Sequence, residues 1–343
     1  MTLQIILAFV IAFLVASAFG AWLVPFLRKI KAGQFIREDG PTWHNNKAGT
    51  PAMGGLMFIL AAIIVCLTVG FKNMLEGDYT HIIVLVFALV FGAIGFLDDY
   101  EKLRKKQNMG LTAKQKFLLQ LVVAIAFIYL LRLCGIIEGS ASKPHCIDLY
   151  IPFFNVTFAI HEIIYVIFAA FVIVGCVNAV NITDGVDGLS SGSSIPVFVF
   201  YTALCFYWGK EYLGLGIFAA AITGGLFGFL IYNFNPAKIF MGDTGSLFLG
   251  GAVAACAFAY DMPLILVTLG IVYIIETLSD IIQIVYFKAT HGKRFFKMAP
   301  FHHHLEMGGW TGKKWKEREL FVLFTGVSLV FAIISFLGVS ARF

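Results

Sequence analysis

Ten apolar stretches alternate with short polar segments along the chain, at about residues 3–27, 51–71, 79–97, 116–134, 163–181, 192–208, 213–232, 245–260, 263–287 and 320–340. An α-helix needs about 20 apolar residues to cross the hydrocarbon of a bilayer. The stretches at 116–134 and 245–260 are the short ones. The pattern predicts an all-α polytopic membrane protein of about ten transmembrane helices, built as a single domain over residues 1–343. The ninth stretch is interrupted by Glu276 and Asp280, whose i,i+4 spacing puts them on one helical face. Such a pair marks either the point where a helix leaves the bilayer or a face turned to a polar cavity. Between the fourth and fifth stretches, "CIDLYIPFFNVTF" within 135–160 alternates as a small hairpin on the membrane surface would.

Composition agrees with this pattern. The chain is 59% hydrophobic and 13% charged, with a mean hydropathy of +0.87, where a soluble domain carries about 25% charged residues. The first stretch lacks a basic leader and is too long for a cleaved signal, so it reads as a retained span. Of the 25 Lys and Arg residues, 20 fall in the segments 28–50, 98–116, 178–191, 233–244 and 288–319. By the positive-inside rule those segments are cytoplasmic and both termini lie outside. Topology therefore explains the net charge of +5 better than a nucleic-acid partner does. The six cysteines are scattered, mostly through apolar runs, without metal or disulfide spacing.

The polar motifs converge on that same face. In "GAIGFLDDYEKL" an apolar run ends in the adjacent carboxylates Asp98 and Asp99. Two like charges side by side call for a cation or a basic partner, and Lys102, Lys114 and Lys116 follow closely. In "NAVNITDGVDGLSSG", 178–192, Asn181, Asp184 and Asp187 recur every third residue among glycines. One Asp-Gly pair is ordinarily a turn or helix cap. A doubled one between two spans fits a loop over which a ligand approaches backbone N–H groups. In "YNFNPAKIFMGDTGSL", 232–247, Pro236 breaks the helix and Asp243 sits at the start of the next. Its place there fits either a dipole-stabilised carboxylate or a ligand for Mg²⁺, which takes one or two carboxylates and shares substrate phosphates. In "APFHHHLEMGGW", 299–310, the imidazoles of His302, His303 and His304 would point about 100° apart on a helix. That argues against a shared zinc ion and for phosphate contact or proton handling near neutral pH.

These four motifs, with "GTPAMGG" at 49–55, resemble in order and spacing those of the polyprenyl-phosphate N-acetylhexosamine-1-phosphate transferases, over essentially the whole chain. The "PFHHHLE" form of the histidine motif is similar to that of the phospho-N-acetylmuramoyl-pentapeptide transferase branch. The resemblance implies transfer of phospho-MurNAc-pentapeptide from UDP-MurNAc-pentapeptide to undecaprenyl phosphate, giving lipid I and UMP with Mg²⁺ as cofactor. It also implies a bacterial inner-membrane location and a homodimer. By the same resemblance Asp98, Asp99, Asp243, His302 and His303 are catalytic, and Asp243 is the metal ligand. Lys47, Lys102, Lys114, Asn181, Asp184, Gly185, Asp187, Asn233, Phe240 and His304 are then substrate-binding, with Phe240 placed to stack on uracil. Asp98 either positions the lipid phosphate or takes its proton, and a covalent route through an aspartate stands beside these. A transporter is the rival from another class, but it would put its polar site near mid-membrane and often show inverted repeats.

Overall fold

In a computed structural model, residues 1–30, 47, 49–105, 107 and 109–339 are described, and statements of number or absence below refer to them. The predicted basic segment 28–50 lies mostly outside these residues, as does the tip of the final span at residue 340.

All ten apolar stretches are helical. In chain order the elements begin with α1 (Thr2–Lys29), α2 (Leu56–Thr68), α3 (Phe71–Leu75), α4 (Thr80–Lys105) and α5 (Ala113–Leu133). The strands β1 (Cys146–Ile151) and β2 (Val156–His161) follow, then α6 (Glu162–Thr183), α7 (Leu189–Trp208) and α8 (Leu213–Asn233). The chain ends with α9 (Gly242–Ala259), α10 (Leu266–Leu269), α11 (Ile271–Ala289), α12 (Phe301–Glu306) and α13 (Glu317–Val339). Eight helices are long and apolar enough to cross a membrane, and Pro263–Leu269 meets α11 at an 80° bend, the form of a broken ninth span or a re-entrant loop. At 13 residues, α2 is only about 20 Å long, shorter than the roughly 30 Å hydrocarbon.

The break in the ninth stretch is at Gly270, not at the two carboxylates. Helix α11 runs unbroken through Glu276 and Asp280. Glu276 is buried there, so of the two readings of this pair the structure favours a face turned to a polar interior for Glu276.

Helices α8 and α9 form the centre. Their sequences are small and apolar on every side, which suits a helix surrounded by others. Helices α1, α2 and α7 pack on α8, while α4 and α6 pack on α9. Glycine sets how close these helices come. A Cβ on Gly95 of α4 would stand 2.0 Å from the carbonyl oxygen of Asp243, and one on Gly55 would stand 2.1 Å from the Cα of Gly245. Both contacts bring backbones together beside the N-terminus of α9. On the periphery, α1, α5 and α13 leave large apolar residues such as Leu3, Leu133, Val322 and Leu337 uncovered, as lipid-facing helices do.

The predicted surface hairpin forms at 146–161, with Cys146 opposite His161 and Ile151 opposite Val156. Its turn is fastened to the end of α13, where the Phe153 N–H donates to the Gly338 carbonyl at 2.7 Å. The six cysteines are all free.

Gly95→Ala is expected to force α4 away from α9, lowering the thermal midpoint in detergent by an amount equivalent to roughly 1–3 kcal/mol of overpacking. Gly175→Ala, with nothing within 4 Å of the added carbon, is the control. A Gly95→Ala midpoint equal to that of the control would show that the close approach carries no stability.

Candidate active site

The site begins at the contact that Gly95 permits. Helix α9 has no side-chain cap of its own, because its N-cap residue is Met241. Asp99 of α4 supplies one from outside. Its Oδ1 accepts the Asp243 N–H at 3.1 Å, and its Oδ2 accepts the Thr244 N–H at 2.9 Å and the Thr244 hydroxyl at 2.7 Å. A carboxylate on the first free N–H groups of a helix satisfies them and opposes the helix dipole. Gly242, at φ +72°, turns the chain into α9 beneath it.

Asp98 faces another way, as neighbours on a helix must. Its Oδ1 accepts the Leu111 N–H at 2.8 Å and its Oδ2 lies 2.6 Å from Lys102 Nζ, one turn further on. Asp243 completes the group. Its Oδ2 lies 3.0 Å from Lys102 and 2.8 Å from Lys116, and its Oδ1 accepts from the Asn181 amide at 2.8 Å. The predicted lysine at 114 is exposed, while Lys116 turns inward. Helix α5 starts at the capping box of Thr112 and Gln115, which sets Lys116, Gln120 and Ala124 on the inward face and Lys114 on the outer one.

One oxygen from each of Asp98, Asp99 and Asp243 lies within 4.8 Å of the others. Oxygen-only donors at this spacing suit a hard divalent cation. Three carboxylates face only two ammonium groups, so a further positive charge fits electrostatically. Asp98, Asp99 and Asp243 are together the residues that could hold a metal.

A second polar knot adjoins the first. Lys47 Nζ lies 2.7 Å from Asp187 and 2.6 Å from Glu317. Asp187 also accepts from the Asn235 amide at 3.0 Å and the Ala237 N–H at 2.9 Å. Asn233 is buried, accepting from the Gly188 N–H and donating to the Ile239 carbonyl, each at 3.0 Å. Together these bonds fold the α6–α7 and α8–α9 loops onto each other. Phe240 presents its ring 6.0 Å from Lys47 Nζ. Asp184 stands among the carboxylates of both knots. Removal from water first, then the charges of Asp243, Asp99 and Asp187, hold its carboxyl well above the usual range.

The three histidines divide. His302 is fully buried, its Nδ1 2.7 Å from Glu276 Oε2. Burial alone would push its pKa down, but Glu276, with Glu306 and Asp280, overrides this and raises it. His303 lies 2.6 Å from Glu306. His304 accepts the Lys297 N–H on Nδ1 at 3.1 Å, stacks on Phe301 and meets Phe296 and Trp310 edge-on. Burial and then Lys297 depress its pKa, in keeping with a neutral ring that accepts. No metal grouping among the described residues includes a histidine. No sequence signal singles out Thr244, Asn235, Glu317 or Ser246, whose hydroxyl accepts from the Asn181 amide at 2.8 Å. Short polar residues at helix ends look the same in sequence whether or not they reach a site.

A mostly helical membrane body with a carboxylate–lysine cluster at helix ends is the frame of an integral membrane enzyme acting on phosphate groups. Residues 81–261 match the model of glycosyl transferase family 4. The chain is 44% identical over 332 residues to a phospho-N-acetylmuramoyl-pentapeptide-transferase of Listeria monocytogenes, covering 97% of each. It is 44% identical over 334 residues to that of Clostridium acetobutylicum, covering 97% of this chain and 98% of the relative. To that of Bacillus cytotoxicus it is 43% identical over 330 residues, covering 96% of each. The chain is a transferase that belongs to the phospho-N-acetylmuramoyl-pentapeptide-transferase family within glycosyl transferase family 4.

Asp99→Asn puts an amide N–H₂ against a backbone N–H, which only donates, whichever way the amide is turned. It is expected to destabilise the folded protein by roughly 1–3 kcal/mol, read as a lowered thermal midpoint, whereas Asp98→Asn keeps an acceptor for Leu111 and shifts the midpoint less. Equal midpoints for the two would refute the capping role. His302 binds its proton more tightly folded than unfolded, so its contribution is complete below the unfolded pKa of about 6.5 and fades as pH rises through the higher folded value. The midpoint advantage of wild type over His302→Gln should therefore narrow from pH 6 to pH 9, and a widening gap would contradict the Glu276 pairing.

Proposed function

We propose that this chain transfers phospho-MurNAc-pentapeptide from UDP-MurNAc-pentapeptide to undecaprenyl phosphate, giving lipid I and UMP, in the first membrane step of peptidoglycan synthesis. The observation that carries the reading is the network of Asp98, Lys102, Asp243, Lys116 and Asn181, drawn from α4, α5, α6 and α9 onto one point. In the reaction an oxygen of the lipid phosphate attacks the sugar-bearing phosphorus of the diphosphate. The bond from that phosphorus to the bridging oxygen breaks, and UMP leaves with the bridging oxygen and its electron pair. One phosphoanhydride is exchanged for another, so the step is close to balanced.

The lipid phosphate is mostly dianionic at pH 7, its second pKa being about 6. Asp98 therefore serves mainly to position it, and Lys102 and Lys116 offset the charge of the reacting phosphates. Bound by Asp243 with Asp98 and Asp99, Mg²⁺ would supply neutralisation of the diphosphate. Lys47, Asn181, Asp184, Gly185, Asp187, Asn233 and Phe240 take the nucleotide, with Phe240 against uracil. Lys114 belongs to this reading as an outer contact and His304 as a buried one, and His302 and His303 face the phosphosugar. The polyprenyl tail lies along α11, whose outer part exposes Ile281, Ile284 and Val285. The site faces the cytoplasm of a bacterial inner membrane, both termini lie outside, and the enzyme works as a homodimer.

Detergent-purified protein given Mg²⁺ and undecaprenyl phosphate should release UMP from UDP-MurNAc-pentapeptide and not from UDP-GlcNAc. Release from UDP-GlcNAc alone would keep the chemistry and overturn the donor. Excess EDTA should abolish turnover and added Mg²⁺ restore it, while Asp243→Ala should reduce it at least a thousandfold with the fold retained. Turnover undiminished in chelator would sink the metal assignment.

A further inference from the structure

Glu276 is a fully buried carboxylate on a helix of membrane-spanning type, six residues past the bend at Gly270. An isolated charge there would be strongly disfavoured, and its partner is a single residue. Glu276 Oε2 lies 2.7 Å from His302 Nδ1 and 3.5 Å from the His302 backbone nitrogen. The pair joins α11 to the short helix α12, which packs against it.

The other ring nitrogen is in a different position. His302 Nε2 is buried and has no hydrogen-bond partner among the described residues. It points at Gly185, where an added Cβ would stand only 2.3 Å away. Gly185 is itself exposed, between Asp184 and the loop carrying Asp187. One backbone position without a side chain thus separates the free nitrogen from the ligand-facing side of that loop.

We propose that Glu276 is a positioning residue for the transfer reaction: it holds the His302 ring through Nδ1, so that Nε2 is aimed past Gly185 at the phosphosugar end of the donor. A carboxylate accepts only, so the Nδ1 proton is fixed and the ring orientation with it. Carboxylate–histidine pairs fix rings in this way both beside metals and in hydrolytic triads. The upward shift of the His302 pKa, with Glu276 the chief raising influence, agrees with the pairing. The inference rests on the reading of His302 as a site residue, and the test separates the two.

The kcat and KM of UMP release are measured for Glu276→Gln, Glu276→Asp, His302→Ala and the double variant Glu276→Gln/His302→Ala, with thermal midpoints to verify folding. Glu276→Gln should lower kcat on the order of 10–100-fold and change KM for the nucleotide donor less than threefold. Glu276→Asp, which keeps the carboxylate, should lose less. The double variant should be no slower than His302→Ala, because a residue acting through His302 has nothing left to position. Wild-type kcat in Glu276→Gln beside an impaired His302→Ala would overturn the positioning role and leave His302 in the site. Losses that multiply in the double variant would also overturn it, since a merely structural carboxylate would behave so. Unimpaired His302→Ala would remove both assignments. If Glu276→Gln does not fold, the same comparison is made with Glu276→Asp, whose kcat loss must disappear in the His302→Ala background.

Discussion

The structure depends on a carboxylate of one helix closing the open end of another. Asp99 satisfies the first N–H groups of α9 because Gly95, one helical turn earlier, lets the two backbones approach. Without the glycine the cap could not reach, and without the cap α9 would start with unsatisfied donors beside buried helices. The same contact fixes Asp243, the first carboxylate of α9, against Asp98 and Lys102. Fold and site therefore share a foundation, and the adjacent aspartates divide the work. Asp99 holds the helix, while Asp98 pairs with Lys102 beside Asp243.

Around this point the structure uses charge sparingly and in pairs. Three carboxylates and two lysines meet at the ends of α4, α5 and α9, and a second knot of Lys47, Asp187 and Glu317 ties the adjoining loops together. Apart from the Asp98–Lys102 pair within α4, these ion pairs bridge segments distant in sequence. Such pairs do little for net stability when exposed. Partly buried and shared among several loops, they fix the relative placement of groups that must meet one substrate. The bent ninth stretch adds a third polar element by carrying Glu276 to His302 of α12.

Much of the architecture was legible in the sequence. Transmembrane helices announce themselves by length and apolarity, because the bilayer leaves the backbone no other way to satisfy its hydrogen bonds. All ten stretches are helical, and the hairpin alternation was readable too. The position of the break was not. Charges at 276 and 280 stand out in an apolar run, yet the chain bends at Gly270, and Glu276 lies within α11 with its carboxylate on His302.

What the chain alone determined was which residues are polar at the ends of which spans, and hence that Asp98, Asp99, Asp184, Asp187 and Asp243 belong to a common face. What only the tertiary structure decided was how they differ. Lys116 faces Asp243 while Lys114 faces outward, and three consecutive histidines meet a carboxylate, a second carboxylate and an aromatic cluster. Asp99 is a cap and Asp98 an ion-pair partner. The physical reason is that hydrogen bonds and ion pairs act over about 3 Å, whereas the partners lie up to 270 residues apart in sequence. Local pattern records a residue's chemistry, and packing alone selects its partner.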